Sequence, residues 1–236
     1  MKFTFSSAMS HVASIENSFV RYSDDSGKEI LLMNLFSVGK VSLPVAFEQY
    51  QDTLLEYKRW IMDFLCRPNS LLGRKGDVCP FTMQAFSKGL FWLNVQPVHG
   101  ETIEEMAAIV NGFLNTFLEL EPTSGGNVQY KTINILFPFM KSDRWIELID
   151  GCQLLLKKQF VQKGLMIGQF HPYCEQGGLH NDDFKPLQAP FPLLAIRNMV
   201  PTDYPFLNDG GELEAAYNKL YGKYNEAKMQ RKSLAG

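Results

Sequence analysis

SDRWIELIDGCQLLLKKQFVQKGLMIGQFHP, residues 142–172, is the stretch that decides the fold. In its first part Trp145, Leu148, Ile149, Cys152, Leu155, Leu156 and Phe160 recur at helical spacing, and Ser142 stands where a capping residue belongs. Gly164 closes the helix, since glycine takes the left-handed backbone of a helix end without a Cβ penalty. Leu165-Met166-Ile167-Gly168-Gln169-Phe170 follows at once and reads as a strand. A helix feeding straight into an apolar strand is the repeating unit of a sheet with helices packed on it.

The same alternation continues outward in both directions. Before this stretch lie a strand over Thr132–Phe137, preceded by Gly125-Gly126, and a helix announced by Thr102 and Glu105, three residues apart as in a capping box. Ile103, Met106, Ala107, Val110, Phe113, Leu114 and Phe117 form that helix's apolar stripe. Earlier still come the strand Leu90–Val95, a glycine-rich loop over 73–81, and a long helix opened by Pro44 and running to Cys66, short of Pro68. Residues 1–46 read as a β-hairpin preface, with strands Phe19–Tyr22 and Ile30–Phe36 around the polar loop 23–28. After residue 172 a polar loop to 191 leads to the strand Leu193–Arg197. A closing amphipathic helix over about 210–232 carries Leu213, Tyr217, Leu220, Tyr221 and Tyr224. The expected fold is α/β or α+β: one domain over 1–236, whose core at 47–208 holds a central sheet of about four to six strands covered by helices.

Composition narrows the function. Of 236 residues, 45% are hydrophobic and 20% charged, enough to bury a substantial core. The net charge of -2 gives no general attraction to nucleic acid or to an anionic membrane, so neither is expected as a partner. No secretory signal follows Met1-Lys2, and no apolar run approaches the ~20 residues of a membrane span, so a cytoplasmic location is expected. Cys66, Cys79, Cys152 and Cys174 form no CxxC pair and are expected to be reduced thiols, Cys66 and Cys152 on packing faces. The exposed faces of the last helix could pair two subunits into a homodimer or simply cap the sheet.

Chemistry can sit at a few points. His171, at the exit of a strand with Pro172 behind it, could ligate a metal, act as an acid–base group, or hold the loop through a backbone hydrogen bond. With Cys174, His180 and Asp182 or Asp183 it could close a zinc or non-heme iron site, although Pro172 is expected to restrict how His171 and Cys174 converge. Cys79, followed by Pro80 and Phe81 and preceded by Arg74 and Lys75, could be a lowered-pKa thiolate or a packed side chain. Arg197 ends four apolar strand residues, where it either pairs with Asp203 or binds a carboxylate. His11 and His99 have no supporting context. No P-loop, Rossmann fingerprint, Gly-x-Ser-x-Gly elbow, His-Glu-x-x-His or EF-hand loop is present.

Taken together, Cys79-Pro80-Phe81, Gly168-Gln169-Phe170-His171-Pro172, Pro192–Arg197 and Asp203 with Phe206-Leu207 resemble a bacterial family of unknown function found near specialised-metabolism genes. More distantly, the order of elements over about residues 50–208 is similar to the YqcI/YcgG family, although the turn here is Cys-Pro rather than Pro-Cys. Some relatives of that second family are heme-dependent enzymes that oxidise nitrogen in small substrates. The resemblance therefore implies a heme b oxygenase acting on an amine or amino acid, or else a non-catalytic heme or small-ligand carrier. His171 would be the axial ligand and Cys79 its competitor. Phe170, Phe81, Phe91, Trp92 and Tyr173 would line the slot, and Arg74, Lys75 or Arg197 would meet the propionates.

Overall fold

A computed structural model of the chain describes residues 18–24, 27–99 and 102–233, with side chains described as far as residue 224. His11 and the hairpin residues Asp25 and Ser26 lie outside the described residues. Strands β1 (Phe19–Ser23) and β2 (Glu29–Asn34) form the expected hairpin, Phe19 opposite Met33 and Ser23 opposite Glu29. The hairpin is more than a preface, because β2 pairs antiparallel with β3 (Phe91–Val95) and so joins the main sheet. With β4 (Thr132–Leu136), β5 (Leu165–Phe170) and β6 (Leu193–Asn198) this makes one six-stranded sheet in the order β1-β2-β3-β4-β6-β5.

The sheet is mixed, and its directions position the site. β3 and β4 are parallel, and β6 lies between β4 and β5, antiparallel to both. Hence β3, β4 and β5 run the same way, and their carboxyl ends, Val95, Leu136 and Phe170, share one edge. Ligand sites on helix-covered sheets favour the carboxyl edge of strands.

Alternation along the strands sends side chains into two cores. On one face Leu32, Trp92, Ile133, Ile135, Ile167 and Ile196 pack against helices α3 (Ile103–Asn111), α4 (Phe113–Glu119) and α5 (Gly151–Gln162). On the other, Met33, Phe91, Leu93, Leu136 and Leu193 pack against α1 (Gln51–Trp60), where the Tyr57 hydroxyl donates to Asn134 Oδ1 at 3.2 Å. Each fully buried side chain of this size stabilises the fold by ~1.5–3 kcal/mol. A smaller cluster of Val161, Met199, Leu207 and Tyr217 seats the last helix, α6 (Glu212–Ser233), against α5.

Three local expectations are corrected. The helix expected from Pro44 to Cys66 is a single turn, Val45–Glu48, followed by α1 and a wide π turn over Ile61–Leu65. A short helix α2 (Thr82–Ser87), at six residues too short to show a period, also lies between Phe81 and Gly89. Ser142 is no cap: it is the first residue of a 3-10 turn that follows Lys141. A second π turn, Ile146–Asp150, then rotates the chain, so that Leu148, Ile149, Cys152, Leu156 and Phe160 are buried while Leu155 faces solvent. The Thr102–Glu105 capping box, by contrast, forms as expected, with both reciprocal bonds in place. On α6, Tyr217 is buried and Leu220 and Tyr224 are exposed.

Candidate metal centre at the carboxyl edge of the sheet

Leu165 and Ile167 on β5 face the α5 core. The same alternation carries His171, one residue past the strand, to that side of the sheet. Waiting there is Asp150, the last residue of the second π turn and the neighbour of Gly151 at the start of α5. A Cβ on Gly151 would stand 2.7 Å from Ile103 Cδ1, so glycine lets α5 begin hard against α3 and holds Asp150 in place. His171 is fully buried, and its Nε2 lies 3.0 Å from Asp150 Oδ1.

The third member comes from a tight turn. The Cys174 N–H donates to the His171 carbonyl at 3.1 Å, closing residues 171–174, and the Tyr173 N–H donates to His171 Nδ1 at 3.2 Å. Proline suits the second position of such a turn because its φ is already set. Pro172 therefore draws His171 and Cys174 together, which corrects the expectation that it would keep them apart. Cys174 is fully buried. Burial pushes its thiol up and the nearby Asp150 charge adds to this, while the Gln176 backbone N–H pulls the other way. One ligand atom each from Asp150, His171 and Cys174 lie within 4.8 Å of one another.

Carboxylate, imidazole and thiolate are the ligand types of zinc. Bonds of ~2.0–2.3 Å in a tetrahedron would put ligand atoms ~3.5 Å apart, a spacing within reach of side chains that lie no more than 4.8 Å from one another. Three protein ligands leave a fourth position free, the mark of catalytic rather than structural zinc. A metal held here would reach solvent past Asp150, whose side chain is 36% exposed while His171 and Cys174 are sealed. Trp145 and Tyr173 pair beside it with ring centroids 5.3 Å apart. Protonation is coupled to occupancy. With Nδ1 accepting from Tyr173, the imidazole proton sits on Nε2 and points at Asp150. A metal held by Nε2 would require that proton on Nδ1, at the cost of the Tyr173 contact.

The other predicted residues lie elsewhere. Arg197 pairs with Met166 at the start of β5, five positions and roughly 16 Å along the strand from His171. Its guanidinium grips Asp203 in a two-pronged ion pair at 2.7 and 2.6 Å. Burial opposes the charge on Arg197, but the hydrogen bond and charge of Asp203 outweigh it and raise the pKa. Of its two expected readings, the structural pair is the one formed. Cys79 and Phe81 keep company with Arg197, the Phe81 ring 6.0 Å from the guanidinium carbon. Arg74 staples its own loop through Lys75 O and Val78 O. His180 packs on Gly73, and His99 Nδ1 meets Phe139 O at 3.0 Å.

The aromatics expected around a heme are likewise divided. Phe91 and Trp92 point to opposite faces of β3. Phe170 meets Trp60 edge-on at 6.3 Å on the α1 face, away from His171, Phe81 packs with Tyr130, and Tyr173 with Trp145. Both nitrogens of His171 are hydrogen-bonded, so an axial bond to iron would displace one of them. His171, Cys79, Arg74, Arg197 and Phe170 do not surround one planar slot. An open cleft of about 410 Å³ lies on the α1 face, lined by Trp60, Phe64, Asp183, Phe184, Lys185 and Gln188. Lys185 Nζ donates to the carbonyl of Glu175, the residue after Cys174.

Asp150 was not among the sequence candidates. It sits inside the apolar stripe of its helix, and the only signal was that position, a carboxylate directly after Leu148 and Ile149.

Fold and site together define an α+β protein with a mixed six-stranded sheet and a three-ligand cluster at its carboxyl edge. The chain belongs to the family described as domain of unknown function (DUF6875), whose sequence model matches residues 54–232. This agrees with an uncharacterised family and carries no link to YqcI/YcgG. The match takes in all three cluster residues and leaves out the β1–β2 hairpin. No curated protein and no solved structure matches the chain.

Proposed function

We propose that the protein is a mononuclear, zinc-class metal enzyme that acts on a small molecule by hydrolysis, with Asp150, His171 and Cys174 as the ligands. One observation carries the reading: three different ligand types, from the start of α5 and from the loop after β5, converge within 4.8 Å at the carboxyl edge of three codirectional strands. A bound zinc-class ion supplies a Lewis acid and a water of lowered pKa. Asp150, on the solvent side, keeps the free position accessible. Cys174 and the buried imidazole exclude water from behind, and the Gln176 N–H steadies the thiolate.

Heme chemistry, implied by the distant resemblance, is the reading against which this one is set. Metal-depleted protein titrated with zinc by calorimetry is expected to bind one ion per chain, and hemin added to the same protein is expected to give no ligated Soret band. Absence of zinc binding, or a Soret band that disappears in His171→Ala, overturns the proposal.

A further inference from the structure

The chain leaving α1 turns back on itself and brings two cysteines together. Pro68 opposes Asp77 in an isolated antiparallel bridge, and beyond it the chain carries Cys79 back to Cys66, the residue that ends the π turn. Two bonds hold the arms together, Val78 N–H to Arg67 O and Cys79 N–H to Leu65 O, each 2.9 Å. The second limits the separation. The Leu65 oxygen belongs to the peptide unit that ends at the Cys66 Cα, so the two Cα atoms are no more than roughly 7 Å apart. Disulfides span Cα separations of ~4.4–6.8 Å. Both cysteines pack against the same core under α1, and the charge of Cys79 is felt at Cys66.

The two thiols differ in access. Cys79 is half-buried and has the Arg197 guanidinium near it, whereas Cys66 is buried. Burial, with the charge of Cys79 added, pushes the Cys66 thiol up to about 11. This is the arrangement of an entry thiol with a resolving partner behind it.

We infer that Cys66 and Cys79 form a reversible redox site, closed to an intramolecular disulfide by a low-molecular-weight disulfide such as oxidised glutathione. The Cys79 thiolate attacks the small disulfide, whose S–S bond breaks and releases one small thiol that takes up the proton. Cys66, deprotonated as it reacts, then attacks the Cys79 sulfur of the mixed disulfide and expels the second small thiol. Two protein thiols are oxidised and one small disulfide is reduced to two thiols. The ring so closed includes Leu71 and Gly73, which touch the loop after β5: Asn181 Nδ2 donates to Leu71 O at 2.8 Å, and Gly73 lies against His180. The disulfide is independent of the metal reading.

The test uses the full-length reduced protein, treated with excess oxidised glutathione, quenched in acid, alkylated and mapped by mass spectrometry. Trypsin yields peptides 60–74 and 76–88, because Arg67 precedes Pro68 and resists cleavage. The expected main product is two hydrogens lighter than the reduced chain, with those two peptides joined. Cys66→Ala is expected to stop at the mixed disulfide, carrying glutathione on Cys79. A wild-type protein that keeps a stable glutathione adduct on Cys79, joins either cysteine to Cys152 or Cys174, or leaves all four thiols free overturns the inference.

Discussion

Asp150 Oδ1 and His171 Nε2 stand 3.0 Å apart although 21 residues separate them in the chain. The contact ties the start of α5 to the exit of β5 and places a carboxylate and an imidazole at the free edge of the sheet, with Cys174 one turn away. A neutral His171 that accepts from the Tyr173 N–H presents its remaining proton to Asp150. The pair is thus complete as a hydrogen bond and would become a ligand pair if a metal displaced that proton.

Removing ligands separates these two roles. Asp150→Asn preserves a hydrogen-bonding oxygen and is expected to fold normally by circular dichroism. Its zinc affinity in calorimetry should fall by more than the ~10–100-fold that follows loss of an outer-shell partner. Cys174→Ser should behave alike. His171→Ala empties a buried position as well and is expected to cost about 2 kcal/mol in denaturant unfolding.

Arg197 and Asp203 test the assignment of a structural ion pair. Asp203 is 2% exposed and also accepts from the Val200 N–H at 2.8 Å. Asp203→Ala strands the guanidinium and is expected to destabilise by about 3 kcal/mol. Zinc affinity of the folded fraction should be unchanged, since the pair lies at the other end of β5.

Lys131 gives a pH dependence of known sign. Its buried ammonium donates to the Phe117 and Leu120 carbonyls at the end of α4, and burial lowers its pKa from 10.5 to about 8, against a smaller opposing effect of Glu121. Between those values the unfolded chain holds a proton that the folded one has released, so this group makes stability rise with pH from about 8 to 10.5. Comparing urea unfolding of wild type and Lys131→Met at pH 7.5 and 10 isolates it, because buried tyrosines such as Tyr57 act equally in both. The advantage of wild type over Lys131→Met should be larger at the higher pH.

Gly73 joins the two loops beside the cleft. Its φ is +74°, and a Cβ would stand 2.8 Å from His180 Cβ and 2.9 Å from the His180 carbonyl oxygen. Gly73→Ala therefore incurs both backbone strain and a clash with main chain, of order 1–3 kcal/mol. The observable is a lower unfolding midpoint together with faster hydrogen exchange over residues 178–183.

Local signals carried most of the elements. The capping box at Thr102 and the left-handed Gly164, with φ +76°, mark helix ends by chemistry that operates within four residues, and they appear as read. Strand β5 and its histidine exit were legible for the same reason. What sequence could not show depends on distant partners. Strand order is one such case, since β6 inserts between β4 and β5 through pairings 23 to 65 residues apart. Asp150 is another: the π turn at Ile146–Asp150 inserts its extra residue without any composition marker and reorients the carboxylate toward β5. The aromatic residues proposed for a heme slot failed to converge because alternate residues of one strand, such as Phe91 and Trp92, belong to different cores.

The most direct test of the metal centre is the absorption spectrum of cobalt(II)-substituted protein, which reports thiolate coordination by itself. Wild-type protein titrated with cobalt(II) is expected to gain a near-ultraviolet thiolate charge-transfer band that saturates at one ion per chain, vanishes when zinc is added, and is absent in Cys174→Ser but retained in Cys79→Ser. A wild-type protein that acquires no such band, or a band that survives in Cys174→Ser, contradicts the account.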